Sequence, residues 1–138
     1  MNQLNKHIVL LEDDPDDLEF FRTALHDTHP GYQLTTVADG RHLQRILEDI
    51  SQPDVIVMDY NLPGKPGTEY LKEIRSDKKF DQAPVVMLSS HKNPANIDDC
   101  LSHGAIHYYL KPQTFTEIKD VVSRICNEAA VYSTISAR

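Results

Sequence analysis

The sequence predicts an α/β fold in which five parallel strands form a doubly wound sheet with five helices. Short apolar runs alternate with segments of helical periodicity along the 138 residues, a length typical of one domain. The apolar runs are mostly unbroken, as in strands buried on both faces of a parallel sheet. Because crossovers between parallel strands are right-handed, the helices are expected to cover both faces of the sheet.

Five segments have the length and composition of strands. Four of them are apolar runs that end abruptly at polar residues, and we expect these to be buried on both faces: 7–11, 55–58, 85–88 and 106–110. The fifth segment, 32–37, alternates Leu34 with threonines, which predicts a strand nearer the edge of the sheet.

Helical spacing of apolar residues predicts one helix after each strand. The five stripes are Leu18, Phe21 and Leu25; Leu43, Ile46, Leu47 and Ile50; Tyr70, Leu71 and Ile74; Ile97, Cys100 and Leu101; and Phe115, Ile118, Val121, Val122, Ile125 and Ala129. Pro15 favours the start of the first helix. Gly104 is expected to end the fourth helix, and Thr114 with Glu117 forms a capping box for the fifth. Residues 131–138 are expected to fray or to extend that last helix.

The charge of the chain excludes some classes of partner. Twenty-one acidic residues against fourteen basic ones give a net charge of -7, which argues against nucleic-acid binding and against docking on an anionic membrane. No apolar segment is long enough to span a bilayer, and the first residues do not resemble a signal peptide. Two cysteines are too few for a disulfide framework. We therefore expect a cytoplasmic protein.

Polar residues stand where four of the strands end. Glu12 and Asp13 follow the first strand, Asp59 the third, Ser89 the fourth and Lys111 the fifth. In an open parallel sheet, functional groups gather at the carboxyl ends of the strands. Clustered carboxylates repel one another unless a cation lies between them, and Mg²⁺ prefers oxygen ligands with phosphate as a co-ligand. Such a site would suit phosphoryl transfer to an aspartate nucleophile.

Four segments in this order resemble the receiver domains of two-component response regulators, of the kind found alone in chemotaxis response regulators. They are Leu-Leu-Glu-Asp-Asp-Pro at 10–15, Val-Met-Asp-Tyr-Asn-Leu-Pro-Gly at 57–64, Pro-Val-Val-Met-Leu-Ser-Ser at 84–90, and Gly-Ala through Leu-Lys-Pro at 104–112. The resemblance extends from residue 8 to about residue 129. It implies a flavodoxin-like topology and a single receiver domain over residues 1–138, with a core of about 6–130.

The resemblance implies a Mg²⁺ site around a phosphoacceptor. Asp59 corresponds to the phosphoacceptor and also contacts the metal. Asp13 corresponds to the direct Mg²⁺ ligand, and Glu12 to the neighbouring acid that acts through water. Asn61 corresponds to the residue whose backbone carbonyl completes the metal site. We interpret the nearby Asp17, like Asp14 and Asp16, as an acid that favours the start of a helix.

The resemblance also implies the parts of a switch. Ser89 corresponds to the hydroxyl that follows the phosphoryl group, and Lys111 to the lysine that pairs with that group. The Lys111–Pro112 peptide is expected to be cis, which X–Pro bonds tolerate. Tyr108 corresponds to the aromatic residue that turns inward, although the adjacent Tyr109 faces the opposite way and leaves the choice open. His91 and Asn61 occupy the positions that influence dephosphorylation.

Several residues depart from the family's usual pattern. Lys65 and Pro66 precede Gly67, where an acid often stands before the last glycine of the loop, and this is expected to stiffen the loop. Gln113 replaces a common aromatic residue, and residues 107–110 are unusually aromatic. In the family, the face of helix four, strand five and helix five carries the signal, so these changes bear on the identity of the partner.

The leading hypothesis is a signalling switch that accepts a phosphoryl group on Asp59 from a histidine kinase or a phosphotransfer protein. It is expected to act through an effector protein, with a homodimer as a further possibility, and not as an enzyme beyond its own phosphorylation and dephosphorylation. A haloacid-dehalogenase-type hydrolase would need an acid where Asn61 stands. A flavin or nucleotide module would need a phosphate-binding loop where acids 12–14 stand. A receiver that signals without phosphorylation remains the fourth alternative.

Overall fold

The computed structural model describes residues 6–50 and 52–136. The strands are β1 (His7–Leu11), β2 (Gln33–Val37), β3 (Val55–Met58), β4 (Val85–Ser89) and β5 (Ala105–Leu110). The helices are α1 (Pro15–Thr28), α2 (Leu43–Asp49), α3 (Gly67–Ser76), α4 (Pro94–Ser102) and α5 (Phe115–Ser136). Short 3-10 helices at Gly40–His42 and Lys78–Phe80 precede α2 and β4. The predicted alternation of five strands and five helices is confirmed; residues 1–5, 51 and 137–138 lie outside the described part.

All five strands run parallel, in the order β2-β1-β3-β4-β5. The register pairs Val9 with Ile56 across β1 and β3, and Val57 with Val86 across β3 and β4. The chain goes outward from β1 to β2 and then returns across β1 to β3. This reversal opens a crevice at the carboxyl ends of β1 and β3, which is where ligands bind in such sheets.

Two layers of apolar side chains cover the sheet. One layer joins alternate strand residues to α2, α3 and α4, and includes Val9, Leu11, Ile56, Met58, Met87, Leu47, Tyr70, Leu71, Ile74 and Cys100. The other joins the intervening strand residues to α1 and α5, and includes Ile8, Leu10, Val57, Val86, Leu88, Phe21, Ala24, Leu25, Val122 and Ile125. Successive residues of a strand point to opposite faces, so two covered faces explain the unbroken apolar runs of β1, β3 and β4.

Side chains cap the helices close to the site. The Asp14 carboxylate accepts hydrogen bonds from the backbone N–H groups of Asp16 and Asp17 at 2.8 and 3.2 Å. The Thr114 hydroxyl accepts from the Glu117 N–H at 3.2 Å and donates to the Glu117 carboxylate at 2.9 Å. These caps set where α1 and α5 begin, directly after the strand ends that carry the candidate site residues.

The structure corrects the expected burial of the fifth strand. β5 pairs with β4 alone and is an edge strand, so its side chains are mostly half-buried or exposed, and Leu110 is 44% exposed. The sequence placed the edge correctly at β2 but missed this second one, because an apolar run does not reveal which strands have a neighbour on each side. No helix in the described ranges has the length and apolarity needed to cross a bilayer.

Candidate functional site

Three carboxylates meet at the crevice between β1 and β3. Glu12, Asp13 and Asp59 each offer an oxygen atom within 4.8 Å of the others. The Asp59 N–H donates to the Leu11 carbonyl at 3.1 Å, so the parallel ladder itself places Asp59 beside the acids that follow β1. Glu12 and Asp59 are buried, while Asp13 faces solvent. The topology therefore assembles three of the predicted residues into one cluster open on one side.

Lys111 reaches this cluster from the end of β5. Its backbone N–H donates to the Ser89 carbonyl at 2.8 Å, which continues the β4–β5 pairing past the strand ends. Its Nζ lies 2.8 Å from Glu12 Oε1, 2.9 Å from Asp59 Oδ2 and 2.8 Å from Asp17 Oδ2. The ammonium group donates hydrogen bonds to Asp17 and Asp59 and forms an ion pair with Glu12.

The balance of charge in the site is negative. Among the described residues, the carboxylates of Glu12, Asp17 and Asp59 contact the Lys111 ammonium, and Asp13 adds a fourth carboxylate beside Glu12 and Asp59. Burial raises the pKa of Glu12, although hydrogen bonds from Lys111 and from the Asp14 N–H partly oppose this. Burial lowers the pKa of Lys111, but the hydrogen bonds to Asp17, Glu12 and Asp59 outweigh it and leave that pKa raised. Lys111 is therefore charged at neutral pH, and a cation would relieve the remaining repulsion.

The donor set fits a small divalent cation that binds oxygen. Mg²⁺ is bound in proteins by one or two carboxylates together with water and phosphate, and the exposed Asp13 and the buried Asp59 supply such carboxylates. Asn61 lies two residues past Asp59, and its N–H donates to Asp59 Oδ1 at 3.2 Å. The backbone of Asn61 thus adjoins the carboxylate cluster, where the sequence predicted a carbonyl ligand.

The loop after Asp59 is held in a compact shape. Asn61 forms an isolated antiparallel bridge with Pro66, and the Gly67 N–H donates to the Tyr60 carbonyl at 2.6 Å. A Cβ atom at Gly67 would lie 2.8 Å from Tyr60 Cα and 3.1 Å from the Asp59 carbonyl oxygen. Only glycine allows this approach, so Gly67 keeps the backbone on either side of Asn61 close to the site.

Ser89, His91 and Tyr108 form a second group beside the carboxylates. Ser89 is fully buried at the end of β4, and its Oγ accepts a hydrogen bond from the His91 N–H at 3.3 Å. Tyr108 packs against the layer under α4 and donates its hydroxyl to the His91 carbonyl. Tyr109 packs toward α5 and donates to Glu128. Of the two tyrosines, Tyr108 is therefore the one on the side of Ser89.

Comparison with known protein families matches residues 8–123 to the response regulator receiver domain. The chain belongs to this family. Receiver domains of two-component systems act in general as phosphorylation-dependent signalling switches. The observed five-stranded parallel sheet is the flavodoxin-like receiver fold that the resemblance implied.

Curated relatives and solved structures agree with this assignment. The receiver is 34% identical over 126 residues to the two-component response regulator-like APRR3 of Arabidopsis thaliana, covering 88% of this chain and 25% of that protein. It is 29% identical to the response regulator ORR3 of Oryza sativa subsp. indica, with 88% of each chain covered. The chain thus spans a quarter of one relative and most of the other.

Two solved structures bear on the site. The phosphorylated cyanobacterial phytochrome response regulator RcpA superposes with a TM-score of 0.81 and 31% identity, covering 88% of this chain and 91% of that one. The receiver domain of the sensor histidine kinase PA1611 from Pseudomonas aeruginosa PAO1 has a TM-score of 0.72 and 29% identity, with 88% and 97% covered. That structure has a magnesium ion coordinated in its active-site cleft.

The Lys111–Pro112 peptide of this receiver is trans, contrary to the expected cis bond, since no peptide bond among the described residues is cis. The trans form of an X–Pro bond is lower in energy by about 0.5–1 kcal/mol. With this peptide trans, Lys111 already places its ammonium against Glu12 and Asp59.

Asp17 is the site residue that sequence reasoning missed. Its place in the sequence predicts an acid that favours the start of α1, yet its carboxylate contacts Lys111. A signal for this was present: Phe21, four residues later, is a core residue of α1, and residues four apart share one face of a helix. Asp17 therefore lies on the inner side of the first turn of the helix.

An apolar cavity of about 100 Å³ adjoins Lys111 between α1 and the start of α5. Its wall includes Leu10, Leu88 and Ile118, and its rim includes Phe20 and Phe115. The two phenylalanines are 55% and 38% exposed, respectively. The mouth of the site is thus bordered by aromatic surface on one side.

Proposed function

We propose that the chain is a phosphorylation-dependent switch in which Asp59 accepts a phosphoryl group, with Mg²⁺, from a histidine kinase or a phosphotransfer protein. One observation carries the proposal: the buried Asp59 carboxylate lies against the Lys111 ammonium at 2.9 Å and within 4.8 Å of oxygens from Glu12 and Asp13. The geometry supplies a nucleophile, a fixed positive charge and oxygen ligands for a cation.

Transfer would form one bond and break another. An Asp59 carboxylate oxygen attacks phosphorus, the bond from phosphorus to the donor breaks, and its electron pair leaves with the donor group. Lys111 offers its charge to a phosphoryl oxygen, and the Ser89 hydroxyl can donate to another. Mg²⁺, held by Asp13, Asp59, the Asn61 carbonyl and, through water, Glu12, would supply charge that offsets the carboxylates and the transferred group.

The switch would act through Ser89 and Tyr108. When the Ser89 hydroxyl turns toward the phosphoryl group, the His91 N–H loses its acceptor, and the loop that also holds Tyr108 is freed. The protein then shifts between two populations because the modified state makes different contacts. Tyr108 is on β5, so the change would reach the face formed by α4, β5 and α5, where an effector protein or a second copy would bind. Asn61, which contacts Asp59, and His91, which contacts Ser89, are both exposed and would tune hydrolysis.

Residues of about 6–130 would form the core of one receiver domain. The chain would act as a phosphoacceptor and not as an enzyme with its own substrate. A macromolecular phosphodonor must cover the mouth of the site, and the exposed rings of Phe20 and Phe115 are the kind of side chain that interfaces favour. No nucleic acid or membrane partner is part of this function.

The test is incubation with acetyl phosphate and Mg²⁺, followed by intact-protein mass spectrometry. We expect one phosphoryl adduct that hydroxylamine removes and that does not form on Asp59→Asn. Asp99→Asn, an exposed acid of α4, serves as the control and should be labelled as the wild type is. An adduct that survives in Asp59→Asn would refute the role of Asp59, and the lack of any adduct would favour a receiver that signals without phosphorylation.

A further inference from the structure

Asp17 differs from the other partners of Lys111 in origin and in exposure. It comes from the first turn of α1 and not from a strand end. Its side chain is 38% exposed, compared with 4% for Glu12 and 7% for Asp59. The same lysine therefore bridges two buried carboxylates and one that borders solvent.

Three carboxylates already contact the Lys111 ammonium group. Its ammonium group, which has three hydrogens, donates hydrogen bonds to Asp17 and Asp59 and lies 2.8 Å from Glu12 Oε1. A phosphoryl oxygen that binds this group would compete with these carboxylates for its hydrogens. Asp17 is the partner that can leave at least cost, because it is already partly hydrated, whereas Glu12 would remain buried without a counter-charge.

We propose that Asp17 holds Lys111 in the unphosphorylated protein and is displaced from it by the phosphoryl group, so that it acts as a positioning residue that disfavours the phosphorylated state. The inference rests on the proposed function, since it assumes that Lys111 receives a phosphoryl oxygen. In this inference, the Asp17 carboxylate competes with the phosphoryl group for Lys111.

Electrostatic repulsion between Asp17 and the phosphoryl group should also disfavour the phosphorylated state. Phosphorylation of Asp59 replaces a carboxylate of charge -1 by a phosphoryl group of charge about -1.5 to -2. Asp17 contacts the same lysine as Asp59, so the added charge raises the repulsion between the two sites. Removal of the Asp17 charge should therefore stabilise the modified state by freeing Lys111 and by lowering this repulsion.

The test measures binding of beryllofluoride, a phosphoryl mimic, by ¹⁹F NMR at saturating Mg²⁺. Asp16 provides a matched control, because it is exposed in the same helical turn and its carboxylate is not among the described partners of Lys111. We expect Asp17→Asn to bind beryllofluoride about two- to fivefold more tightly than the wild type, and Asp16→Asn to stay within about twofold. Asp17→Ala repeats the measurement without an amide that could itself bind the mimic.

The ¹⁵Nζ resonance of Lys111 supplies a readout that a purely structural role would not move. Without beryllofluoride, Asp17→Asn should shift this resonance and Asp16→Asn should not. With beryllofluoride bound, the wild-type and Asp17→Asn resonances should converge, because no carboxylate at position 17 then contacts the lysine in either protein. If the wild type binds no beryllofluoride, the proposed function fails. If it binds, but Asp17→Asn behaves as Asp16→Asn does or the resonances stay apart, the inference alone is wrong.

Discussion

The Tyr108 hydroxyl donates a hydrogen bond of 2.9 Å to the backbone carbonyl of His91. The N–H of the same His91 donates to the buried Ser89 hydroxyl at 3.3 Å. A single loop residue is thus held from both sides, by the end of β4 and by β5. Because both contacts are made by the backbone of His91, movement of the Ser89 hydroxyl should change the position of the Tyr108 hydroxyl, and the reverse.

Replacement of Ser89 by alanine should disconnect Tyr108 from the phosphoryl site. The His91 N–H loses its acceptor, and no hydroxyl remains to follow the phosphoryl group. In protein labelled with 3-fluorotyrosine, beryllofluoride and Mg²⁺ should shift the Tyr108 ¹⁹F resonance of the wild type, and Ser89→Ala should lose most of that shift. Ser90→Ala, at the exposed neighbouring position, should keep it. Equal loss in both variants would contradict the role of Ser89.

Lys111→Met should destabilise the metal-free protein by about 2–4 kcal/mol, since Glu12 and Asp59 would stay buried without their counter-charge. Urea unfolding in the presence of a chelator measures this loss. Mg²⁺ should restore more stability to the variant than it adds to the wild type, because the cation replaces the missing charge. Lys72→Met removes only an exposed ion pair with Glu69 and should cost less than about 1 kcal/mol. A Lys111→Met loss no larger than that of the control would argue against the buried pairing.

The raised pKa of Glu12 predicts how metal-free stability depends on pH. The fold binds a proton on Glu12 more readily than the unfolded chain does, so ionisation of Glu12 lowers stability as pH rises through the folded pKa. This effect is absent below the unfolded value of about 4.5. Glu12→Gln should therefore be more stable than the wild type at neutral pH, and the difference should shrink toward about pH 5. Urea unfolding at both pH values tests this, with the exposed Glu48→Gln as the control.

Glu12 should also make Mg²⁺ affinity depend on pH. Whereas the stability of the metal-free protein falls as Glu12 ionises, Mg²⁺ affinity should rise. A proton on Glu12 removes one negative charge from the cluster, so Mg²⁺ affinity should fall as pH is lowered from neutral through the raised pKa. Isothermal titration calorimetry of wild type and Glu12→Gln should show a weaker pH dependence in the variant over this range. An unchanged slope in Glu12→Gln would mean that another group governs the effect.

Arg75 should matter for stability although it lies outside the candidate site. Its guanidinium donates to the carbonyls of Phe80, Ala83 and Gly104 at 2.8–3.0 Å, and thereby joins α3 to the segments that precede β4 and β5. Arg75→Met should cost about 1–3 kcal/mol in thermal or urea unfolding, because these carbonyls lose a charged donor. Arg22→Met, on the exposed side of α1, should change stability by less than about 1 kcal/mol. If Arg75→Met and Arg22→Met lose nearly the same stability, Arg75 does not have the structural role proposed for it.

Local sequence patterns predict the order of the strands and helices and the residues at the strand ends. Hydrophobic runs, helical stripes and caps such as Thr114 depend on neighbours within a few residues, so they are readable without a fold. The choice of Glu12, Asp13, Asp59 and Lys111 followed from the rule that parallel strands direct their carboxyl ends to one edge, and the structure does bring these four together.

The packed fold is needed to show which strands lack a neighbour, which of Tyr108 and Tyr109 faces Ser89, and which acids reach Lys111. Lys111 meets Asp59 and Asp17 across sequence separations of 52 and 94 residues. Such contacts depend on the strand order and on where α1 lies against the sheet, and the local periodicity of apolar residues predicts neither. Asp17 shows this most clearly. The sequence identifies it only as an acid at the start of a helix, whereas the packing of α1 against the sheet brings its carboxylate to Lys111.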